Sequence, residues 1–507
     1  MGRPSIVFIG FMGAGKSTAL AAARAAGLKT TEIDELMEAE LGKPIRQAFE
    51  EDGEEAFRAR ETEVVGSLLE NSDSGAIALG GGSVLSERVR KALDRHTVVL
   101  LEIDAAEAWR RIEGTERPLA TSEADVERLL AERLPLYEEL ADAVVPMADE
   151  GVVARALPAI QALGGMPEGT RLLWASSASG DYPVFVGFDL LDAEWWPLEG
   201  RGFCVTDRNA GIYSEQLNVS GSVIQIPAGE RSKTLEQVRD VLLLLAEEEM
   251  AREDHVVALG GGVIGDLAGF CAHIYQRGVP VVQVPTTLVA QVDSAYGGKT
   301  GVDIGMLKNY AGAYHLPKAV LADIQTLQSL PPQELAAGFV EVLKTGLLAG
   351  GPLWEEVRKM ETIEPNLLGD AIFACARYKC AIVAGDERDE GLRHLLNLGH
   401  TVGHAIEGVS HFSYLHGEAI GLGLLAALRL SDATELRDEV KAILACHDLP
   451  VCLDPKVGAD EVLHVLQHDK KRTAAGVGFV LLSEPGKPRT GQIIDRAKVR
   501  EAVEELY

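Results

Sequence analysis

Short apolar runs alternate with amphipathic stretches in the first part of the chain. Three apolar runs predict buried strands: SIVFIG, GAIAL and TVVLLEI. Residues 17–26, 44–70 and 86–95 carry apolar positions at helical spacing. Continuous Val, Ile and Leu runs separated by helices are typical of a parallel sheet covered by helices. The pattern therefore predicts an α/β unit at the start of the chain.

A second alternation of the same kind follows and stops near Pro331. Its strand-like runs are YPVFVG, FCVTD, SVIQIP, HVVALGGG and VPVVQVP. After Pro331 long helical stretches dominate, and only GVGFVLL has a strand pattern. Between the two alternations the chain is rich in Gly, Ser and Pro, which predicts a linker. The predicted organisation is an α/β domain at 1–162, a linker at 163–181, a second α/β domain at 182–330 and a mostly α-helical domain at 331–507.

Length and charge limit the class of protein. A chain of 507 residues suggests roughly three folding units. A formal net charge of −29 disfavours nucleic acid and anionic membranes as partners. No apolar run approaches the ~18 residues of a membrane span, and the first residues do not have the pattern of a signal peptide. The six cysteines include no C-x-x-C pair, which predicts reduced thiols and a cytoplasmic location.

The segment GFMGAGKS at residues 10–17 fits the pattern G-x-x-x-x-G-K-[ST]. It stands between a predicted strand and a predicted helix, which is the context that a phosphate-binding loop requires. Its glycines allow backbone N–H groups to face a phosphate at the helix N-terminus. Lys16 can neutralise phosphate charge and the Ser17 hydroxyl can bind Mg²⁺. The segment predicts a nucleotide triphosphate site.

A second glycine-rich segment, GGGVIGDLAGF, follows the run HVVAL. It lacks the G-x-G-x-x-G spacing with a later acidic residue, so the ordinary dinucleotide fingerprint is weak here. A helix that begins near Gly265 still places its N-terminus where a pyrophosphate can bind. By itself the segment predicts a phosphate-bearing ligand and no particular one.

Five of the twelve histidines lie between residues 394 and 416. His400 and His404 are four residues apart and share a helical face, and His416 follows. Such a group can hold Zn²⁺ when a carboxylate from elsewhere completes the site. Spacing alone favours His400 and His404 as the ligand pair.

Residues 1 to about 160 resemble shikimate kinase, a P-loop enzyme of the nucleoside-monophosphate-kinase type. The resemblance rests on TEIDELME, DGEEAFRARETE, ALGGGSV, RPL and ERLPLYEELA, together with the phosphate-binding loop. It implies that Asp34 holds the shikimate hydroxyls as base or orienting group and that Arg117 closes over the phosphate from a lid at about 113–124. The implied shikimate-binding residues are Asp34, Arg58, Gly80, Gly81, Gly82 and Arg133. The implied ATP- and Mg²⁺-binding residues are Gly10, Met12, Gly13, Ala14, Gly15, Lys16, Ser17, Thr18 and Glu32.

One position departs from the pattern of this family. Glu32 stands where the family usually has the first aspartate of D-x-D, and its longer side chain changes the expected contact to Mg²⁺ or its water. Another small-molecule kinase, such as a gluconate kinase, is the alternative for this half. The Arg58 and Arg133 pair favours a substrate that bears a carboxylate.

Residues from about 182 to the end resemble 3-dehydroquinate synthase. The matching segments include AGERSKT, GGGVIGDLAGF, YQRG, QVPTTLVAQVDSAYGGKTGVD, VEVLKTG, DERDEGLRHLLNLGHTVGHA, LHGEA and DKK. The resemblance replaces the spacing-based metal pair: it implies Glu341, His400 and His416 as ligands of Zn²⁺ or Co²⁺, and His404 as a substrate or proton-transfer group. Asp389 stands where the family often has glutamate.

The same resemblance implies two further sets of binding residues. NAD⁺ would be held by Asp207, Asn209, Glu230, Lys233, Gly261, Gly262, Val263, Asp266, Thr286, Thr287, Asp293 and Lys308. The substrate, 3-deoxy-D-arabino-heptulosonate 7-phosphate, would contact Asp293, Lys299, Asn309, Lys344, Arg393, Asn397, His404, Lys470 or Lys471, and Arg277. Lys299, Lys344 and His404 are the expected catalytic groups of this half. Arg277 would reach the site of a neighbouring subunit, which implies a homodimer.

Together the two resemblances imply a bifunctional enzyme that serves two non-consecutive steps of aromatic biosynthesis. One half would phosphorylate shikimate with Mg²⁺ and ATP, and the other would form 3-dehydroquinate with NAD⁺ and Zn²⁺. The alternatives for the second half are another sugar-phosphate cyclase and a metal-dependent polyol dehydrogenase. A scaffold in which one half has lost its activity is disfavoured by the intact Lys16, Asp34, Arg58, Glu341, His400 and His416.

Overall fold

The apolar runs predicted as strands are strands in the computed structural model, which describes residues 5–114, 122–305, 307–411, 413–467, 472–473 and 476–507. The chain divides into two compact units. The first contains residues 1–176, 181–185 and 193–197, and the second contains 177–180, 186–192 and 198–507. No helix within the described residues is long and apolar enough to cross a membrane.

The strands are β1 (Ile6–Ile9), β2 (Thr30–Glu32), β3 (Ala76–Ala78), β4 (Thr97–Glu102), β5 (Ala143–Pro146), β6 (Arg171–Ser177), β7 (Gly180–Gly187), β8 (Gly202–Asp207), β9 (Val223–Ile226), β10 (His255–Gly260), β11 (Val281–Pro285), β12 (Lys299–Ile304), β13 (Leu307–Tyr314), β14 (Ala319–Asp323), β15 (Arg472–Thr473), β16 (Gly476–Leu482) and β17 (Pro488–Ile493). The helices are α1 (Lys16–Ala25), α2 (Ile33–Leu41), α3 (Ile45–Asn71), α4 (Glu87–Leu93), α5 (Ala105–Ile112), α6 (Glu123–Leu140), α7 (Val152–Leu163), α8 (Leu235–Glu247), α9 (Gly262–Ile274), α10 (Pro332–Ala349), α11 (Gly351–Val357), α12 (Gly369–Gly385), α13 (His400–Val409), α14 (His416–Leu430), α15 (Thr434–Cys446), α16 (Ala459–Gln467) and α17 (Arg496–Glu504).

The first unit is built on a parallel sheet in the order β2-β3-β1-β4-β5-β6. Every residue of β1 is buried, as a central strand between two helical layers requires. Side-chain caps begin α5 and α6: Asp104 Oδ1 accepts the Glu107 N–H at 2.7 Å, and Ser122 Oγ accepts the Asp125 N–H at 3.2 Å. α3 is interrupted at Gly53, whose φ of 83° lies outside the helical range.

The second unit begins with another parallel sheet, in the order β14-β11-β10-β8-β9. Its core is formed by the strand residues and by the inner faces of α8 and α9, including Phe203, Val205, Val238, Val256, Leu267 and Val281. A two-stranded hairpin of β12 and β13 follows. Helices α10–α17 then dominate, and β15, β16 and β17 form a small antiparallel sheet.

The structure differs from the sequence-based expectation in two places. The range 163–181, predicted as a linker, contains β6, because the residues Leu172–Ala175 form a buried apolar run despite the glycines and serines around them. The helix expected near Gly265 begins at Gly262, so its N-terminus lies directly after the glycine run. The parallel sheets and the helical C-terminal region agree with the fold class that the pattern predicts.

Candidate active sites

The phosphate-binding loop joins β1 to α1, as its sequence context predicts. Gly13 and Gly15 have φ of 80° and 84°, a left-handed conformation that glycine adopts at little cost. The Lys16 ammonium donates hydrogen bonds to the carbonyls of Gly10 at 2.8 Å and Phe11 at 3.0 Å. The lysine therefore lies along its own loop, within the pocket that a triphosphate would fill.

A cavity of about 610 Å³ opens at this loop. Its lining includes Lys16, Ser17, Thr18, Glu32 and Asp34, and also Met12, Gly13, Gly15, Gly80, Gly81, Arg110 and Arg111. The Ser17 hydroxyl donates a 2.5 Å hydrogen bond to Glu32 Oε1, so the longer acid at position 32 reaches the serine directly. A hydroxyl beside a carboxylate supplies the oxygen ligands that Mg²⁺ prefers.

A second cavity of about 510 Å³ shares Met12, Glu32, Asp34, Gly80 and Gly81 with the first. Its remaining lining includes both predicted carboxylate-binding arginines, together with Phe49, Phe57, Glu61 and Gly82. Asp34 therefore lines both cavities at the place where they meet. Phosphoryl transfer depends on this kind of placement more than on covalent chemistry.

The two arginines of the second cavity are held in place by different contacts. Arg58 Nη1 lies 2.6 Å from Glu61 Oε2, and its guanidinium lies within 6 Å of the Phe49 and Phe57 rings. Arg133 is buried and donates a 3.4 Å hydrogen bond to the Gly81 carbonyl. Fixed guanidinium groups that line one cavity can bind a carboxylate with defined geometry.

In the second unit, Glu341, His400 and His416 present ligand atoms that lie within 4.8 Å of one another. Glu341 comes from α10, whereas His400 and His416 are the first residues of α13 and α14. The Nε2 atoms of His400 and His416 lie 3.4 Å and 3.3 Å from Glu341 Oε1. Neither oxygen of this buried carboxylate accepts a hydrogen bond of ordinary geometry from the described residues. Oε1 faces the two imidazoles, and a carboxylate with two imidazoles arranged in this way fits a Zn²⁺ site.

The pKa values of the two histidines are shifted in opposite directions. Burial and the Lys344 ammonium lower the pKa of His400 to about 3, so its ring is neutral. His400 Nδ1 is bonded to the Leu398 carbonyl at 3.1 Å, which leaves Nε2 with its lone pair toward Glu341. Burial lowers the pKa of His416, but Glu341 and Glu407 outweigh it and raise this pKa to about 9. Metal binding at this site would therefore release a proton from His416.

His404, which spacing favoured as a ligand, has a different position. Its ring is exposed, and its Nε2 lies 3.9 Å from Glu407 Oε2. The same ring forms a second possible group of metal ligands with Glu407 and His416. Helical spacing places His400 and His404 side by side, with ring centroids 5.2 Å apart, but only His400 lies next to the buried Glu341.

A cluster of charged side chains continues from Glu341 away from the histidines. Lys344 Nζ lies 2.5 Å from Glu341 Oε2 and 3.6 Å from Asp293 Oδ2, and Lys379 also pairs with Asp293. Burial raises the pKa of Asp293, but Lys379 and Lys344 outweigh it and lower this pKa to about 2. Two lysine cations are thus held beside the histidine cluster, where they can bind an anionic substrate.

The carboxyl ends of β8, β10 and β11 form a separate site at one edge of the parallel sheet. Asp207 ends β8, the glycine run ends β10, and Thr286 and Thr287 follow β11. A Cβ added to Gly261 would lie 2.8 Å from Thr287 Cγ2, so this position has no room for a side chain and the main chain stays uncovered. α9 begins at the next residue and directs its N-terminal N–H groups to this edge. The arrangement fits a dinucleotide with its pyrophosphate at the helix N-terminus.

Other predicted residues surround these two regions of the second unit. Lys233 is buried and pairs with Asp266 at 2.6 Å, and Asp207 Oδ1 accepts the backbone N–H groups of Asn209 and Ala210. Lys308 lies on β13 beside Glu407. Glu230 lies in a 3₁₀ turn ahead of α8, and Val263 lies in the first turn of α9.

The predicted substrate-binding residues occupy several loops. Lys299 Nζ donates a 2.5 Å hydrogen bond to Asp389 Oδ2, so the shorter acid at 389 still reaches this lysine. Arg393 is buried and donates to the Glu387 carbonyl at 2.9 Å, and Asn397 donates to the His394 carbonyl. Asn309 has φ of 49°. Arg117, Lys470 and Lys471, with most of the predicted lid, lie outside the described residues.

Two residues of this site were not predicted from the sequence. Lys379 lies on α12 directly before the apolar run CAIV, and a cation beside buried helical positions was the available signal. Glu407 follows His404 by three residues and is 3% exposed. Only its helical spacing to His404 could have suggested a role.

The fold and sites define two classes of enzyme on one chain: a P-loop phosphotransferase, and an α/β protein that has a group of possible metal ligands and a glycine-rich strand end followed by a helix. Residues 12–161 match the family model of shikimate kinase, 223–337 that of the 3-dehydroquinate synthase N-terminal domain, and 338–472 that of its C-terminal domain. The chain belongs to the 3-dehydroquinate synthase family and carries a shikimate kinase domain ahead of it. It is therefore a bifunctional enzyme of the shikimate pathway.

Individual relatives match the synthase part of the chain. The 3-dehydroquinate synthase of Symbiobacterium thermophilum is 39% identical over 330 residues, which cover 60% of this chain and 92% of the relative. That of Lactiplantibacillus plantarum is 41% identical over 299 residues, 56% of this chain and 83% of the relative. The solved structure of a 2-epi-5-epi-valiolone synthase from Streptomyces hygroscopicus, with NAD⁺ and Zn²⁺ bound, is 25% identical. The structural match covers 64% of this chain and 96% of the valiolone synthase chain, with a TM-score of 0.58.

Proposed function

We propose that the first unit transfers the γ-phosphoryl group of ATP to a shikimate hydroxyl. Asp34, at the junction of the two cavities, orients that hydroxyl and accepts its proton. Arg58 and Arg133 hold the shikimate carboxylate in the second cavity, and Lys16 neutralises charge on the phosphates. Ser17 and Glu32 are the residues that would hold Mg²⁺, which supplies charge neutralisation between the phosphates when bound.

We propose that the second unit converts 3-deoxy-D-arabino-heptulosonate 7-phosphate into 3-dehydroquinate and releases phosphate. The observation that carries this proposal is the continuous cluster of Asp293, Lys344, Glu341, His400 and His416. It combines a metal-ligand set with cations that bind a carboxylate or phosphate. The substrate of a polyol dehydrogenase carries neither a carboxylate nor a phosphate, so that enzyme would not need these cations.

Each group of residues in the second unit has a separate proposed role in this reaction. Glu341, His400 and His416 would hold Zn²⁺ or Co²⁺, which polarises a substrate oxygen when bound. The strand edge at Gly261 and Thr287 would hold NAD⁺, which takes a hydride and returns it in the same turnover. Lys344, Lys379 and Arg393 bind and orient the anionic groups, and the exposed His404 moves a proton at the substrate.

We also propose that Arg277 serves a neighbouring copy of the chain in a homodimer. The arginine is exposed in the turn that follows α9. Gln276 and Arg277 have φ of 47° and 70°, a conformation that side-chain-bearing residues rarely adopt. A strained turn that presents an exposed cation supports a role in binding an anion outside its own site.

A coupled assay on the full chain tests the pair of activities. Phosphate release from the heptulosonate phosphate should need NAD⁺ and Zn²⁺, and ATP consumption should need shikimate and Mg²⁺. A zinc-selective chelator added with excess Mg²⁺ should stop only the first reaction. If metal and NAD⁺ are bound and no dehydroquinate forms, the assignment of the second unit is wrong.

Gly82→Ala should impair shikimate binding and leave the fold intact. A Cβ at Gly82 would lie 2.5 Å from Arg58 Cζ, and a guanidinium at the end of a long side chain can move away. We expect the KM for shikimate to rise about tenfold, which corresponds to roughly 1.4 kcal/mol of lost binding, while the KM for ATP stays near the wild-type value. Steady-state kinetics with each substrate varied will measure both. Gly165→Ala is the matched control, because Gly165 is exposed, its φ lies outside the left-handed region and an added Cβ would meet only the Ala162 carbonyl oxygen at an ordinary 3.6 Å. Equal effects of both variants would contradict the proposal.

A further inference from the structure

One buried carboxylate lies between the histidine cluster and the hairpin of β12 and β13. Glu407 is on α13, and its side chain is 5% exposed. Its Oε1 lies 3.4 Å from His416 Nδ1 and also 3.4 Å from Lys308 Nζ. Its Oε2 lies 3.9 Å from His404 Nε2. A buried charge needs such partners because its removal from water is costly.

The two contacts of Glu407 Oε1 lead to the two ligand sites of the proposed synthase. His416 is a proposed metal ligand and uses its other nitrogen, Nε2, toward Glu341. Lys308 is a proposed NAD⁺-binding residue. A carboxylate that accepts from the second nitrogen of a metal-bound imidazole fixes its tautomer and raises its basicity. Because His416 and Lys308 share this oxygen, the Lys308 ammonium offsets part of the negative charge that the oxygen presents to His416.

We propose that Glu407 is a positioning residue through which metal and dinucleotide bind with positive coupling, an inference that rests on the proposed function of this site. When Lys308 turns to a dinucleotide, Glu407 Oε1 interacts with His416 alone. The imidazole then becomes a better metal ligand. By thermodynamic reciprocity, the metal tightens dinucleotide binding by the same factor.

The test measures binding to the full-length chain, freed of metal by dialysis. Zn²⁺ affinity is determined by competition with a chromophoric chelator, without and with saturating NAD⁺, and NAD⁺ affinity by calorimetry, without and with Zn²⁺. For the unmodified chain we expect each ligand to tighten the other about fivefold or more. Glu407→Gln should weaken Zn²⁺ binding about 10- to 100-fold and bring the coupling factor close to one.

Two further variants separate positioning from loss of structure. Lys308→Met removes the competing cation permanently, so without NAD⁺ it should bind Zn²⁺ about as tightly as the unmodified chain does with NAD⁺, and it should lose the coupling. It carries the test even if Glu407→Gln does not fold. Glu356→Gln, which removes a half-buried carboxylate on α11, should change neither quantity. The visible spectrum of the Co²⁺-loaded chain should change in Glu407→Gln and not in Glu356→Gln.

The binding measurements distinguish failure of the role of Glu407 from failure of the proposed function of the site. Unchanged Zn²⁺ affinity in Glu407→Gln, or coupling that persists in either Glu407→Gln or Lys308→Met, would overturn the role of Glu407 alone. An unmodified chain that binds neither Zn²⁺ nor NAD⁺ would overturn the proposed function of the site and this inference with it.

Discussion

Replacing Lys16 by methionine is expected to lower the rate of shikimate phosphorylation by at least ~10²–10³-fold, the effect of removing one fixed donor from a site of developing charge. Lys16 lies in the loop between β1 and α1, where its ammonium is bonded to the Gly10 and Phe11 carbonyls. A triphosphate in the adjoining cavity would offer that ammonium a stronger, charged acceptor. Methionine fills similar space without the charge, so the loop should keep its shape.

The same variant is expected to release phosphate from the heptulosonate phosphate at the unmodified rate, because none of the proposed synthase residues belongs to the first unit. Both rates are measured on one preparation. Lys91→Met is the control, since Lys91 is exposed and forms an ion pair with Glu87 one helical turn away, far from any proposed role in catalysis. A loss of both activities in Lys16→Met would contradict independent sites.

Replacing Glu341 by glutamine is expected to remove the bound metal and to lower 3-dehydroquinate formation by about three orders of magnitude. A metal ion supplies several kcal/mol of charge stabilisation to a reacting oxygen, and each ~1.4 kcal/mol is a factor of ten. The glutamine has nearly the same shape but cannot provide the carboxylate that His400 and His416 face at 3.4 Å and 3.3 Å. Lys344 keeps Asp293 as a partner, so the buried lysine does not lose all compensation.

Elemental analysis and turnover are the paired measurements for this variant. We expect about one metal ion per unmodified chain, nearly none in Glu341→Gln, and unchanged kinase activity in both. Glu334→Gln, on the exposed first turn of the same helix, is the matched control. A Glu341→Gln variant that binds a full equivalent of metal and turns over normally would exclude Glu341 as a ligand.

The sequence ALGGG, which occurs at residues 78–82 and 258–262, shows what a local sequence pattern can predict and what it cannot. Both copies end a buried parallel strand, β3 or β10, as their apolar flanks predict. The neighbours differ: Gly82 lies against Arg58, whereas Gly261 lies against Thr287. Glycine at a strand end brings main chain close to a ligand in both places, but which ligand depends on side chains brought from other elements.

The sequence by itself determined the features whose causes are local. The phosphate-binding loop, the strands of both parallel sheets and the helical nature of the C-terminal part depend on residues a few positions apart, so period and glycine placement predict them. The pairs that only the tertiary structure decided join distant segments: Glu341 with His400 and His416, Lys379 with Asp293, and Glu407 with Lys308. Spacing favoured His404 over His416 because it reports only the face of one helix. Which histidine meets a buried carboxylate is fixed by the packing of α10 against α14, and no local pattern encodes that contact.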